Sequence, residues 1–143
     1  MHRPARVLDV GNCTPDHAAI RTMLRDRFDV RVERVMFVAE ALERMRAERF
    51  DLVLVNRVIF DDGSDGLALH RAARENAALA AMPIMLVSDY PQAQAASVAA
   101  GGVPGFGKST LDDPETIERL ARFLPRSADV TPSRATCTPR PPA

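Results

Sequence analysis

Leu52-Val53-Leu54-Val55-Asn56 is the stretch that decides the fold. A strand with one wet face would alternate apolar and polar residues, whereas here four consecutive positions are apolar. That is the mark of a central parallel strand covered on both sides, and the run is too short to stand as a helix. Outward from it, Ile84-Met85-Leu86-Val87 repeats the pattern and stops at Ser88-Asp89, while Val7-Leu8-Asp9-Val10 does so with one interruption and stops at Gly11. Val30 and Val32 mark another strand, and Val103 to Gly107 form a short, glycine-rich one that propensity alone supports weakly.

Segments of helical period fill the gaps. Thr14-Pro15 supplies a cap and a first-turn proline ahead of an apolar stripe, Ile20, Met23, Leu24 and Phe28. Val38, Ala41, Leu42 and Met45 follow at the spacing that puts four side chains on one helical face. Further helices are expected from Leu67 to Asn76, from Pro91 to Ala100, and from Asp113-Pro114 onward with Ile117, Leu120, Ala121 and Leu124 inward. Five βα units with short connections predict a parallel sheet with helices on both faces. The functional crevice of such a sheet lies at the carboxyl ends of its strands, here Gly11-Asn12, Asn56, Ser88-Asp89 and Lys108.

Composition bounds the function. A chain of 143 residues, 46% hydrophobic and 5% aromatic, suits one domain. Nineteen basic and 19 acidic residues cancel, which argues against nucleic acid or an anionic membrane as partner. Cys13 and Cys137 lie too far apart for a secreted disulfide framework, so free thiols in a cytoplasmic setting are expected. The N-terminal stretch lacks a signal-peptide core, and no apolar run approaches membrane-spanning length. Residues 125–143 carry Pro125, Pro132, Pro139, Pro141 and Pro142 with Arg126, Arg134 and Arg140, and are expected to form a disordered tail on a domain of residues 1–124.

From Arg6 to Leu124 the chain resembles a response-regulator receiver domain, the phosphoacceptor module of two-component signalling. The resemblance implies a flavodoxin-like (βα)5 three-layer α/β sandwich with parallel sheet order 2-1-3-4-5. In that family an acidic pair after the first strand holds Mg²⁺ and an Asp after the third accepts phosphate. A Ser or Thr follows the fourth strand and a Lys the fifth. Ser88 falls at the hydroxyl position and Lys108 at the lysine. Lys108 is the only lysine of the chain, and its retention among arginines fits a need for a compact ammonium.

The remaining positions depart from the family in one direction. Asn56 stands at the phosphoacceptor, and its neutral amide cannot form an acyl phosphate. Gly11 and Asn12 stand at the acidic pair and leave no carboxylate for a hard cation, so neither metal nor cofactor is expected. Lys108 is then expected to hydrogen-bond the Asn56 side-chain oxygen or nearby carbonyls. Gly105 stands where the aromatic switch should be, with Phe106 on the opposite strand face, so the relay from Ser88 is lost. Ser109 replaces the proline after the lysine, and no cis peptide is expected there. The loop after the third strand is long, and its Asp61, Asp62 and Asp65 can reach the crevice, as can Arg57 and Asp89.

These segments resemble those of an atypical subgroup of stand-alone receivers, the pseudo-receivers. The resemblance implies a non-enzyme that acts in signal transduction by phosphorylation-independent protein–protein interaction. Its partner, another protein or a second copy in a homodimer, would sit on the face formed by about Pro91 to Ala100, Val103 to Gly107 and Pro114 to Leu124. There Ala95, Ala96, Ala99 and Ala100 would permit close helix approach.

Other readings compete. Gly102 to Ser109 fits the G-x-x-x-x-G-K-[ST] pattern of a phosphate-binding loop, but no later strand remains to supply a second aspartate motif. Phosphorylation could instead move to Asp61, Asp62 or Asp89, with Asp9 or Asp16 helping to bind metal. Asp9 is otherwise expected to pair with an arginine such as Arg6 or Arg31. His2, His17 and His70 lack ligand spacing and are expected on the surface. The sets Arg21, Arg25, Arg27 and Arg44, Arg46, Arg49 alternate with acids and read as solvated helix faces.

Overall fold

The computed structural model describes residues 3–127, so His2, Cys137 and the tail from residue 128 lie outside the described residues. Its order is β1 (Ala5–Val10), α1 (Thr14–Arg27), β2 (Val30–Val35), α2 (Val38–Ala47), β3 (Leu52–Asn56), α3 (Leu67–Arg74), α4 (Ala77–Ala80), β4 (Ile84–Val87), α5 (Pro91–Ala99), β5 (Val103–Phe106), a 3₁₀ turn (Lys108–Thr110) and α6 (Pro114–Ala121). The five strands are parallel in the order β2-β1-β3-β4-β5. The architecture is the flavodoxin-like α/β sandwich, with β3 at its centre.

Strand alternation divides the apolar residues between two cores. Val7, Leu52, Leu54, Met85 and Phe106 face α1 and α6, where they meet Ile20, Met23, Leu24, Ile117 and Leu120. Leu8, Val10, Val53, Val55 and Leu86 face the other way, toward Ala41, Met45, Leu69, Ala73 and Leu79 of α2, α3 and α4. All four apolar residues of β3 are fully buried. Each such side chain contributes roughly 1.5–3 kcal/mol relative to exposure, which commits the strand to the middle of the sheet.

Three boundaries differ from the sequence reading. The helix expected from Leu67 to Asn76 ends at Arg74, because the Asn76 side chain caps a separate turn, accepting from the Ala78 and Leu79 amides at 2.9 and 3.3 Å. The first helix is capped at Cys13 with no side-chain bond, so Thr14 is its first residue rather than its cap. The segment after Leu124 stays tied to the domain through Ser127. The Asp29 amide donates to the Pro125 carbonyl and the Ser127 amide to that of Arg27.

Candidate functional site

At the carboxyl end of the sheet a crevice of about 260 Å³ is lined by Asn56, Arg57, Val58, Val87, Ser88, Asp89, Tyr90 and Lys108. The parallel order delivers these residues, since the ends of β3, β4 and β5 open on the same side. Asn56 turns its amide nitrogen to the Val58 carbonyl at 2.7 Å, which fixes the side chain against its own loop. Ser88 Oγ accepts from the Tyr90 amide at 3.1 Å. Asp89, the one carboxylate in this lining, accepts from the Ser109 amide at 3.2 Å and its hydroxyl at 2.7 Å. The Arg57 guanidinium lies 5.6 Å from the Tyr90 ring centre.

Lys108 does not bond Asn56 as the sequence reading expected. Its Nζ lies 2.7 Å from Asp16 Oδ2, so the counter-charge comes from the first turn of α1 instead of β3. The Lys108 ammonium, with help from the Cys13 thiol, holds the Asp16 carboxyl below the usual aspartate range. Asp61, Asp62 and Asp65 do not line the crevice. Their loop closes on itself: Asp62 Oδ1 accepts from the Ser64 amide and hydroxyl, the Ile59 amide donates to the Ser64 carbonyl, and Val58 bridges to Asp65.

Behind the crevice, Asp9 is fully buried and is paired with neither Arg6 nor Arg31. It accepts from Asn12 Nδ2 at 2.6 Å and lies 2.6 Å from His17 Nδ1. Arg6 is instead engaged by Glu33 and Glu48, and Arg31 is exposed. His17 and His70 are therefore not surface residues. His17 is half-buried against Asp9, and buried His70 places Nε2 2.7 Å from Ser97 Oγ, joining α3 to α5. Burial pushes the His70 imidazole below its usual value. Spacing could have shown His17, which shares the inward stripe of Ile20 and Leu24 at i+3 and i+7.

Gly11 has φ +77°, and a Cβ there would meet Ile59 Cδ1 at 2.5 Å. The first acidic-pair position thus has a backbone built for glycine. At Gly105 a Cβ would collide with the Leu86 carbonyl oxygen, so a larger residue has no room in this arrangement. Gln94 occupies that region, a residue the sequence reading missed. Its Nε2 donates to the Leu86 and Ser88 carbonyls at 2.9 and 3.1 Å, and its Oε1 accepts from the Gly105 amide at 2.9 Å. Arg119 Nη1 of α6 donates to the Gly105 carbonyl at 2.6 Å. A helix-facing Gln beside two strand ends is the only sequence signal for this bridge. Phe106 points away into the α1–α6 core.

The residues fit neither a divalent cation nor a phosphate loop. Gly11 offers no side-chain oxygen, Asn12 offers only its neutral Oδ1, which is buried without a partner, and both Asp9 and Asp16 are held by cationic or amide partners. Among the described residues no group of three His, Cys, Asp or Glu side chains is placed to hold a metal. The segment Gly102 to Ser109 is mostly extended: Val103–Phe106 pairs with β4, and one short 3₁₀ turn follows at Lys108. It cannot wrap a phosphate as a Gly-rich loop does. No cis peptide occurs among the described residues.

No family model matches the sequence, and no curated protein matches it. Solved structures do match. The chemotaxis response regulator CheY4 of Vibrio cholerae is similar at 23% identity and a TM-score of 0.65, over 85% of this chain and 99% of that one. The signal receiver domain of an HD domain-containing protein from Pseudomonas fluorescens is similar at 17% identity and 0.70, over 86% and 88%. The receiver domain of Francisella response regulator 1452 gives 16% and 0.69, over 85% and 97%. The chain has the receiver-domain fold.

Proposed function

We propose that this chain is a degenerate receiver, which transmits a signal by binding a protein partner or a second copy of itself without Mg²⁺-dependent phosphorylation and without enzymatic activity. The observation that carries the reading is the crevice itself. Asn56 faces it from β3, Gly11 and Asn12 after β1 bring no carboxylate to its lining, and the carboxylates Asp16 and Asp89 are engaged by Lys108 and Ser109. In-line phosphoryl transfer needs an anionic acceptor, a metal and a lysine held together, and here the lysine is spent on Asp16.

The Gln94 bridge supports the same reading. It ties α5 to β4 and β5 through neutral hydrogen bonds that no phosphate would alter, so the α5–β5–α6 face is held in one form. That face exposes Val98, Ala95, Ala96 and Ala99, a small and partly apolar surface suited to a protein partner. No helix among the described residues is long and apolar enough to cross a membrane.

Beryllofluoride with Mg²⁺, followed by amide NMR and sedimentation, tests the proposal. Unchanged spectra and an unchanged oligomeric state are expected. Shifts centred on Ser88, Lys108 or any loop aspartate would overturn it. A dimer lost in Val98→Glu assigns the face to self-association, and a monomer assigns it to another protein.

A further inference from the structure

The sheet ends on one side in β2, whose only strand neighbour is β1. The Asp29 and Val35 carbonyls accept from the Ala5 and Gly11 amides, so the alternate residues Val30, Val32 and Arg34 turn their backbone groups away from β1 to an open edge. Two cavities meet at Arg31, one along this edge and one under the amino ends of β1 and β3. One, of about 230 Å³, is lined by Arg21, Arg25, Val30, Arg31 and Val32. The other, of about 530 Å³, is lined by Arg3, Pro4, Arg6, Arg31, Arg49 and Asp51.

Charge on this rim is one-sided. Arg3, Arg21, Arg25, Arg31 and Arg49 are exposed and have no ion pair, hydrogen bond or ring contact among the described residues. Arg6 is the exception, held by Glu33 and Glu48, and the single carboxylate lining either cavity, Asp51, accepts from the Arg6 amide at 2.8 Å. Elsewhere Arg44 engages Glu33 and Glu48 and Arg119 engages Glu115, while exposed Arg46, Arg74 and Arg122 have no such partner among the described residues but line neither of these two cavities. Three uncompensated guanidiniums, Arg21, Arg25 and Arg31, beside an unpaired strand edge, with Arg3 and Arg49 sharing a cavity with Arg31 at the amino end of the sheet, are a recognition surface in a protein whose net charge is zero.

We infer that the β2 edge binds an extended acidic segment of a partner protein. The segment adds as a further strand on the free backbone groups of Val30, Val32 and Arg34, while its carboxylates take bidentate bonds from the arginines of α1 and of the strand starts. Two observations favour a peptide over a nucleic acid. No aromatic ring lines either cavity to stack a base, and the neutral chain has no broad cationic field to gather a polyanion. This inference does not rest on the proposed function, because the β2 edge lies across the sheet from α5, β5 and α6.

The probe is a fluorescent twelve-residue peptide alternating glutamate and valine, titrated with the full chain at low salt and read by anisotropy. Saturable binding is expected, weakened about tenfold or more by joint Arg21→Glu and Arg25→Glu, exposed helix positions that leave the core untouched. A peptide N-methylated at alternate amides is expected to lose binding to the wild type, a result that charge alone would not give. The inference is overturned by absence of binding, by equal affinity of the charge-reversed variant, by full retention with the methylated peptide, or by tighter binding to single-stranded DNA or phosphatidylserine vesicles at the same ionic strength.

Discussion

Asp9 shows how much one residue reorganises this site. A carboxylate in the interior needs partners for its charge, and Asn12 and His17 supply them, which removes Asn12 from the crevice and fixes the start of α1. Asp9→Ala leaves the Asn12 amide and the His17 ring unpaired, so it is expected to cost about 3 kcal/mol in urea unfolding, with Asp9→Asn costing less. His70 sets a different dependence. Its folded pKa lies below the ordinary 6.5, so its contribution is complete above pH 6.5 and is lost as the pH falls through that value toward the folded pKa. The urea midpoint is expected to drop between pH 7 and 5, and to drop less in His70→Gln. Glu33 and Glu48 do not confuse this window, because Arg6 and Arg44 hold both carboxyls below their ordinary 4.5, that of Glu48 at about 2.

Between elements, the decisive contacts are the β1–α1 turn and the Gln94 bridge. Gly11→Ala forces a side chain into a left-handed backbone against Ile59, and an unfolding cost of about 2 kcal/mol is expected from strain and displacement together. Gln94→Ala removes the acceptor for the Gly105 amide and both donations to β4, and is expected to cost about 1–2 kcal/mol. Faster hydrogen exchange at Gly105 is the local readout, and unchanged exchange would show that β5 is held without the bridge. The β-strand pattern was legible because burial on both faces leaves runs such as Leu52-Val53-Leu54-Val55, and even the weak fifth strand was placed by its position in the alternation. The partners of Lys108 and Asp9 were not legible. Asp16 and His17 come from α1 and Asn12 from the turn before it, and the rotation of a helix over a sheet is set by packing that no single segment encodes.

For the molecule as a whole, the proposed function separates fold from chemistry. The receiver-domain architecture brings Asn56, Ser88 and Lys108 to one crevice, as strand order requires, but the carboxylates around it are bound to Lys108, Ser109, Asn12 and His17. Position alone does not carry phosphoryl chemistry when the charges are otherwise engaged. Substituting one acceptor does not rebuild the set, because Gly11 and Asn12 still supply no anionic oxygen to a metal. The most direct measurement is the intact mass of the wild type and of Asn56→Asp after incubation with acetyl phosphate and Mg²⁺. Both are expected to remain unmodified. A phosphate adduct on any aspartate of the wild type, or on the new aspartate of the variant, would contradict the account.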